Sequence, residues 1–161
     1  MVQNRGDIKI RRMVKSDLPR VNDIDRSLFG EGRVTTWPFP FEAYWEIHRP
    51  KLSFVAELKG EVVGFLVGII EKEERSQSIF SQAYRVGLPS RNRQVGWIDM
   101  MGIRPDYWHR GIGRSLVEVF DNECKRNNAT MRIIVREDDE GLKNFLVTLD
   151  FKKWEMAIYE K

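Results

Sequence analysis

The chain has 161 residues, 42% apolar and 32% charged, enough to bury one substantial core and too few for two, so one domain over residues 1–161 is expected. Twenty-seven Lys and Arg against 24 Asp and Glu leave a net charge of +3 with the signs interspersed, which carries no strong nucleic-acid signal and suits an anionic small ligand equally well. The longest apolar stretch, Val62 to Ile70, is cut by Gly64 and Gly68 and falls far short of the roughly 20 residues of a spanning helix, the first residues lack a secretory signal, and the lone Cys124 excludes an internal disulfide, so a cytoplasmic protein with no membrane partner is expected.

Ile8 to Met13 alternate apolar and basic residues with the period of a half-buried strand. A helix follows, with Ser16 and Asp17 as caps, Pro19 in its first turn, and Leu18, Val21, Ile24 and Leu28 on one face. Gly30-Glu31-Gly32 ends it. Thr36 to Phe41 is too proline-rich for regular structure, and Glu42 to His48 reads as a second helix, closed by Pro50, with Phe41, Tyr44, Trp45 and His48 along one face. Leu52 to Leu58 and Glu61 to Ile70 are strands joined by a tight turn at Lys59-Gly60. The polar stretch 71–93 has no sustained period and is longer than typical connections, leaving open a functional segment, a homodimer arm or a merely floppy connection. Gln94 to Ile103 reads as a strand broken at Gly96 and Gly102. Gly111 to Asn127 is a strong helix with Ile112, Leu116, Val119, Phe120 and Cys124 inward and Arg114, Glu118, Asp121 and Lys125 toward water. Ala129 to Arg136 is a strand, Asp139 to Leu149 a short amphipathic helix, and Phe151 to Glu160 a last strand. The order β-α-α-β-β-β-α-β-α-β implies an α/β (α+β) domain with a mixed, mostly antiparallel sheet flanked by helices.

Chemistry concentrates in residues 97–116. A strand ends near Ile103, Arg104-Pro105-Asp106 turns the chain, and Gly111-Ile112-Gly113 opens the best helix. A helix start offers amides without intrahelical acceptors and the positive end of the macrodipole, and glycine lets a phosphate approach the backbone. Arg110 and Arg114 add full charges. The two glycines could equally do no more than shape a tight turn. No Gly-Lys-Ser/Thr follows for a Walker loop and no third glycine stands at the Rossmann spacing.

Ile103-Arg104-Pro105-Asp106-Tyr107-Trp108-His109-Arg110-Gly111-Ile112-Gly113-Arg114-Ser115-Leu116 resembles the pyrophosphate loop of the GNAT superfamily of acyl-CoA-dependent N-acyltransferases, whose pattern is Gln/Arg-x-x-Gly-x-Gly/Ala. The element order is also that family's. The resemblance implies acetyl-CoA as co-substrate, with the backbone of Met101 and Ile103 along the pantetheine arm where the fourth strand splays from the fifth. The loop of Trp108, His109, Arg110, Gly111, Ile112, Gly113, Arg114 and Ser115 would then hold the pyrophosphate. Val135-Arg136 is similar to the close of the family's fifth strand, and Phe145 with Leu149-Asp150-Phe151 to its Phe/Leu-Tyr-x-x-Leu-Gly-Phe ending.

The chain departs from the family at several positions. Trp108 stands at the Gln/Arg position, Leu146 at that of the frequent general-acid Tyr, Asp150 at the usual Gly, Asp139 at a common Asn, and Ile134 where ribosomal-protein alanine acetyltransferases place a Glu. Leu cannot give a proton. Amine acylation needs a deprotonated nucleophile and a stabilised leaving group, with proximity supplying much of the rate. Asp99, on the strand beside the cofactor groove, is the first candidate base, directly or through water, since related enzymes often carry an acid on this strand; the alternative is a solvated or Arg-paired carboxylate. Tyr107 and Tyr159 are candidate acids. His109 reads as a loop residue, His48 as structural and Cys124 as core packing, and with one Cys and two distant His no metal site is expected.

The aromatic run Trp37-Pro38-Phe39-Pro40-Phe41, with Tyr44 and Trp45, lies where the family's first two helices wall the acceptor site, and either holds the acceptor's hydrocarbon part or is ordinary packing. Glu31 and Glu42 are the nearby acids that could recognise a cation. The expected partner is a primary amine, on a small molecule or on a protein N-terminus or lysine. A second reading is a non-catalytic CoA-binding sensor or interaction module with a degenerate site.

Overall fold

A computed structural model describes residues 8–30, 41–48, 51–72 and 94–153. Its elements run β1 (Ile8–Arg12), α1 (Leu18–Phe29), α2 (Phe41–His48), β2 (Leu52–Leu58), β3 (Glu61–Lys72), β4 (Gln94–Ile103), α3 (Ile112–Arg126), β5 (Ala129–Ile133) and α4 (Glu140–Val147). One-turn 3₁₀ helices at Lys15–Asp17 and Pro105–Tyr107 precede α1 and α3. The sheet order is β1-β2-β3-β4-β5, antiparallel throughout except for the parallel β4–β5 pair. Thus the predicted mixed sheet and its element order hold through α4. The proline-rich 36–40, Glu31, most of the 71–93 segment, the side chain of His48 and the final strand with Tyr159 lie outside the described residues.

Alternation along β2 explains the layering. Phe54 and Ala56 face one core, with Leu66, Ile98 and the α3 residues Ile112, Leu116, Phe120 and Cys124; Val55 faces the other, with Phe65, Val67, Val21, Ile24, Phe41 and Tyr44. With helices on both faces the central strands lose the half-polar pattern, and Val62 to Gly68 is buried without a break. Lys59 and Gly60 take φ of 50° and 82°, the pair of left-handed residues that a two-residue hairpin turn requires.

Several expectations are corrected. β4 is not broken at its glycines: a Cβ on Gly96 would sit 2.3 Å from Cys124 Sγ, and one on Gly102 2.7 Å from the Phe65 ring, so both mark close packing on a continuous strand. Asp17 does not cap α1. Its carboxylate instead accepts from the Val14 amide (2.8 Å) and from both terminal nitrogens of Arg11 (2.7 and 2.8 Å), whose Nε reaches Glu57 at 2.8 Å. Asp121 is half-buried and pairs with Lys125 rather than lying free in water. β5 stops at Ile133 instead of Arg136; Arg136 turns back to chelate Asp138. α4 spans 140–147, capped by Asp139, which accepts from the Leu142 amide at 2.9 Å.

Candidate active site

The site is a fork in the sheet. The parallel ladder joins Gln94–Ile98 of β4 to Ala129–Ile133 of β5 and ends at the pair Ile98–Ile133, while β4 continues to Ile103 along β3 alone. Among the described residues the backbone of 99–103, which includes Met101 and Ile103, therefore has no strand on its β5 side, and this stretch is about 13 Å long at ~3.3 Å per residue. Asp99 is the first residue past the last paired one, at the root of the fork.

A bulge aims it. Val67 pairs with Met100 and Gly68 with Ile98, so Asp99 is the extra residue on β4. Ordinary alternation would send Met100 to the same side as Ile98; instead Ile98 and Met101 belong to the α3 core, whereas Met100 packs on the α1/α2 core and the Tyr44 hydroxyl of α2 reaches Asp99. Two consecutive residues thus serve one face. Tyr44 donates to Asp99 Oδ2 at 2.5 Å, and burial first, then the carboxylate, push its hydroxyl far above the ordinary phenol value. Sequence reasoning left Phe41 and Tyr44 open between an acceptor wall and ordinary packing; both are buried in the core, and the bond to Asp99 was missed because helical spacing locates a face but not the strand residue opposite it.

The mouth of the fork is closed by the start of α3. Gly111, the N-cap, has φ 80° and ψ 1°, and a Cβ there would meet nothing within 4 Å; His109, exposed, is also left-handed at φ 60°. Ser115 is the first amide to bond back, to the Gly111 carbonyl at 3.1 Å, so the amides of Ile112, Gly113 and Arg114 have no intrahelical acceptor. These open amides beside a bare Gly111 fit a pyrophosphate. Gly113 differs: it is buried, and a Cβ would lie 3.0 Å from the Phe145 ring and 3.2 Å from Ile103 Cδ1, so its bareness serves packing of α3 against α4 and the end of β4.

The side chains around the loop divide. Trp108, half exposed, donates its indole N–H to the Ile103 carbonyl at 2.7 Å, tying the loop to the end of β4. Arg104 and Arg110 lie over the Tyr107 ring at 5.0 and 5.1 Å, and Arg104 also pairs with Glu61 and Asp106. Arg114 donates to the Thr148 carbonyl at 2.9 Å, at the end of α4. The exposed Arg110 therefore stands in the loop with its guanidinium on an aromatic platform. Leu146 is buried and apolar, and Cys124 is buried with its thiol pushed up to about 11, chiefly by burial, as suits core packing. No group of three metal-binding side chains occurs among the described residues, and no described helix is long and apolar enough to cross a membrane.

The sequence profile of the acetyltransferase (GNAT) family matches residues 18–151. The chain belongs to that family. It is an acyltransferase dependent on acetyl-CoA. No curated protein matches the chain by sequence. Among solved structures, it is similar to AAC(6')-Iy in complex with the bisubstrate analogue CoA-S-monomethyl-acetylneamine, at 17% identity and TM-score 0.70 over 97% of this chain and 98% of that one. It also resembles Naa20 of Chaetomium thermophilum in complex with a bisubstrate analogue, at 21% identity and TM-score 0.64 over 88% and 69% of the two chains. Ard1 of Thermoplasma volcanium matches at 20% identity and TM-score 0.63, over 90% and 82%. At these identities the likeness is one of fold.

Proposed function

We propose that this family member transfers the acetyl group of acetyl-CoA to a primary amine, on a small molecule or on a protein N-terminus or lysine, with Asp99 as the base. The observation that carries the reading is the carboxylate at the root of the fork, turned by a bulge onto the α1/α2 face, while the open amides stand at the fork's mouth. Acetyl-CoA supplies the activated acyl group. The chain supplies the rest: Met101 and Ile103 line the pantetheine arm with backbone groups, and residues 108–115 hold the pyrophosphate with amides reinforced by Arg110, whereas the Arg114 guanidinium is tied to the Thr148 carbonyl. The Ile103 carbonyl keeps a second lone pair beyond its bond from Trp108.

The amine approaches from the α1/α2 side, where α2 presents the half-buried Trp45 and the exposed Glu42 while Phe41 and Tyr44 are packed in the core behind them. Asp99 attracts it as an ammonium and takes up the proton it must lose before it attacks, directly or through a water. Leu146 cannot return a proton to the departing sulfur. Tyr107, in the loop, and Tyr159 are the candidates for that role. The similar structures include an aminoglycoside N-acetyltransferase, which supports a small amine-bearing molecule as the first acceptor to test, with protein amines as the second.

The test is calorimetric titration with acetyl-CoA, followed by thiol release across a panel of aminoglycosides, peptides with free N-termini and lysine peptides. Binding with turnover that Asp99→Asn lowers by about a hundredfold or more is expected. Absence of acetyl-CoA binding at millimolar concentrations would overturn the reading, and binding without turnover on any amine would favour a CoA sensor instead.

A further inference from the structure

We infer that Tyr44 is a positioning residue of Asp99, so that the core of the α1/α2 face and the base work as one unit; this rests on the reading of Asp99 as the base. A bulge turns Asp99 out of the ladder register toward the α1/α2 face, and there the Tyr44 hydroxyl of α2 meets its Oδ2 at 2.5 Å. Tyr44 is itself fixed. It is 2% exposed, its ring stacks on Phe41 at 6.2 Å, and Phe41 in turn packs on Phe65 of β3 at 5.2 Å and on Trp45 at 6.3 Å. The chain of contacts runs from β3 through α2 back to the bulged residue of β4.

The chemistry follows from the donor's character. Tyr44 remains a neutral O–H donor throughout the range in which the enzyme works, so it stabilises Asp99 as a carboxylate and fixes the plane in which that carboxylate meets the amine. Among the described residues of α1 and α2, Asp25 accepts from the Phe41 amide at 3.1 Å, Arg26 and Glu42 pair at 3.9 Å, and Arg20, Asp23 and Glu46 are exposed. Changes at the Tyr44 hydroxyl should be felt through Asp99, to which it donates.

A double-mutant cycle tests this, using the acceptor that turns over in the panel. Y44F should lower kcat/KM about tenfold, the scale of a lost hydrogen bond to a charged group, with KM for acetyl-CoA unchanged. In the D99N background the same Y44F change should cost less than about twofold, because its partner is already gone. Equal losses in both backgrounds would reduce Tyr44 to packing and overturn the inference. Carboxyl-carbon NMR reads the same link without any acceptor: the Asp99 midpoint should rise by about one unit in Y44F, and in the unmodified chain the Tyr44 Cζ resonance should move with the Asp99 midpoint. Independent titration of the two groups would refute the tether. A protein that turns over no amine yet keeps this coupled titration would condemn the proposed activity and leave the tether standing.

Discussion

The two glycines that open α3 have different jobs, and paired alanine substitutions separate them. At Gly111 a Cβ meets nothing, but φ 80° lies in the left-handed region, where an L-residue costs about 1–2 kcal/mol. For a chain of this size that corresponds to a fall in Tm of about 2–8 °C. At Gly113 the backbone is ordinary, and the cost is steric: the new methyl sits 3.0 Å from the Phe145 ring, between α3 and α4, an overpacking worth about 1–3 kcal/mol. Stability alone therefore barely distinguishes them. Affinity should. If the loop amides hold a diphosphate, relaxing residue 111 out of the left-handed region re-aims them, and losing one charge-assisted bond of about 1.5–3 kcal/mol weakens acetyl-CoA binding by tenfold or more. Gly113→Ala should stay within a few-fold of the parent, since its contact lies behind the loop against Phe145. Calorimetric titration of each folded variant with acetyl-CoA, alongside a thermal melt, gives both quantities. Full affinity in Gly111→Ala with the expected drop in Tm would show that the left-handed residue shapes the turn and holds no ligand.

Two further predictions concern stability. Asp150 takes φ 63° where α4 ends, with the Phe151 amide bonded to the Leu146 carbonyl and the Asp150 amide to Val147, each at 3.1 Å, so Asp150→Gly should raise stability by about 1 kcal/mol; an unchanged or lower Tm would contradict the strain argument. The Asp17 carboxyl is held below the ordinary carboxylate range, first by the Arg11 guanidinium and also by the Val14 amide, against a desolvation penalty that acts the other way. Its contribution is complete above the unfolded value near 4 and is lost as pH falls through the lower folded value. Asp17→Asn should thus cost about 2 kcal/mol near neutrality and progressively less below pH ~4 in urea melts; a gap that widens on acidification would refute the sign.

Much of the fold was legible because its signals are local. The Lys59-Gly60 turn, the apolar face of α3 and the alternation of β1 need only neighbours three or four residues away, and each element formed within a few residues of its predicted bounds. The errors share a different cause. Gly96 and Gly102 look like strand breakers until Cys124 and Phe65, distant in sequence, are seen to fill the space a side chain would need. Asp17 looks like a cap until Arg11, two turns of chain earlier, takes its carboxylate. The short β5 follows from a pairing limit at Ile98–Ile133 that no property of Ile134 to Arg136 announces.

The same distinction divides the site. The left-handed Gly111 and the helix start of the proposed donor half were readable because they are built from consecutive residues, and the glycine spacing is itself the geometry. The proposed acceptor half is assembled across the fold. Period-two counting from Ile98 assigns Asp99 to the α1/α2 face, but it would also turn Met100 toward α3. Only the unequal count of residues between β3 and β4 explains why Asp99 and Met100 share a face and why Asp99 lacks a ladder partner. Its hydrogen-bond donor then comes from a helix 55 residues earlier. A bulge is a property of two strands together, so a carboxylate positioned by one reads, along a single chain, as an ordinary strand aspartate. That is why Asp99 could be nominated from its place beside the groove while the residue that holds it could not.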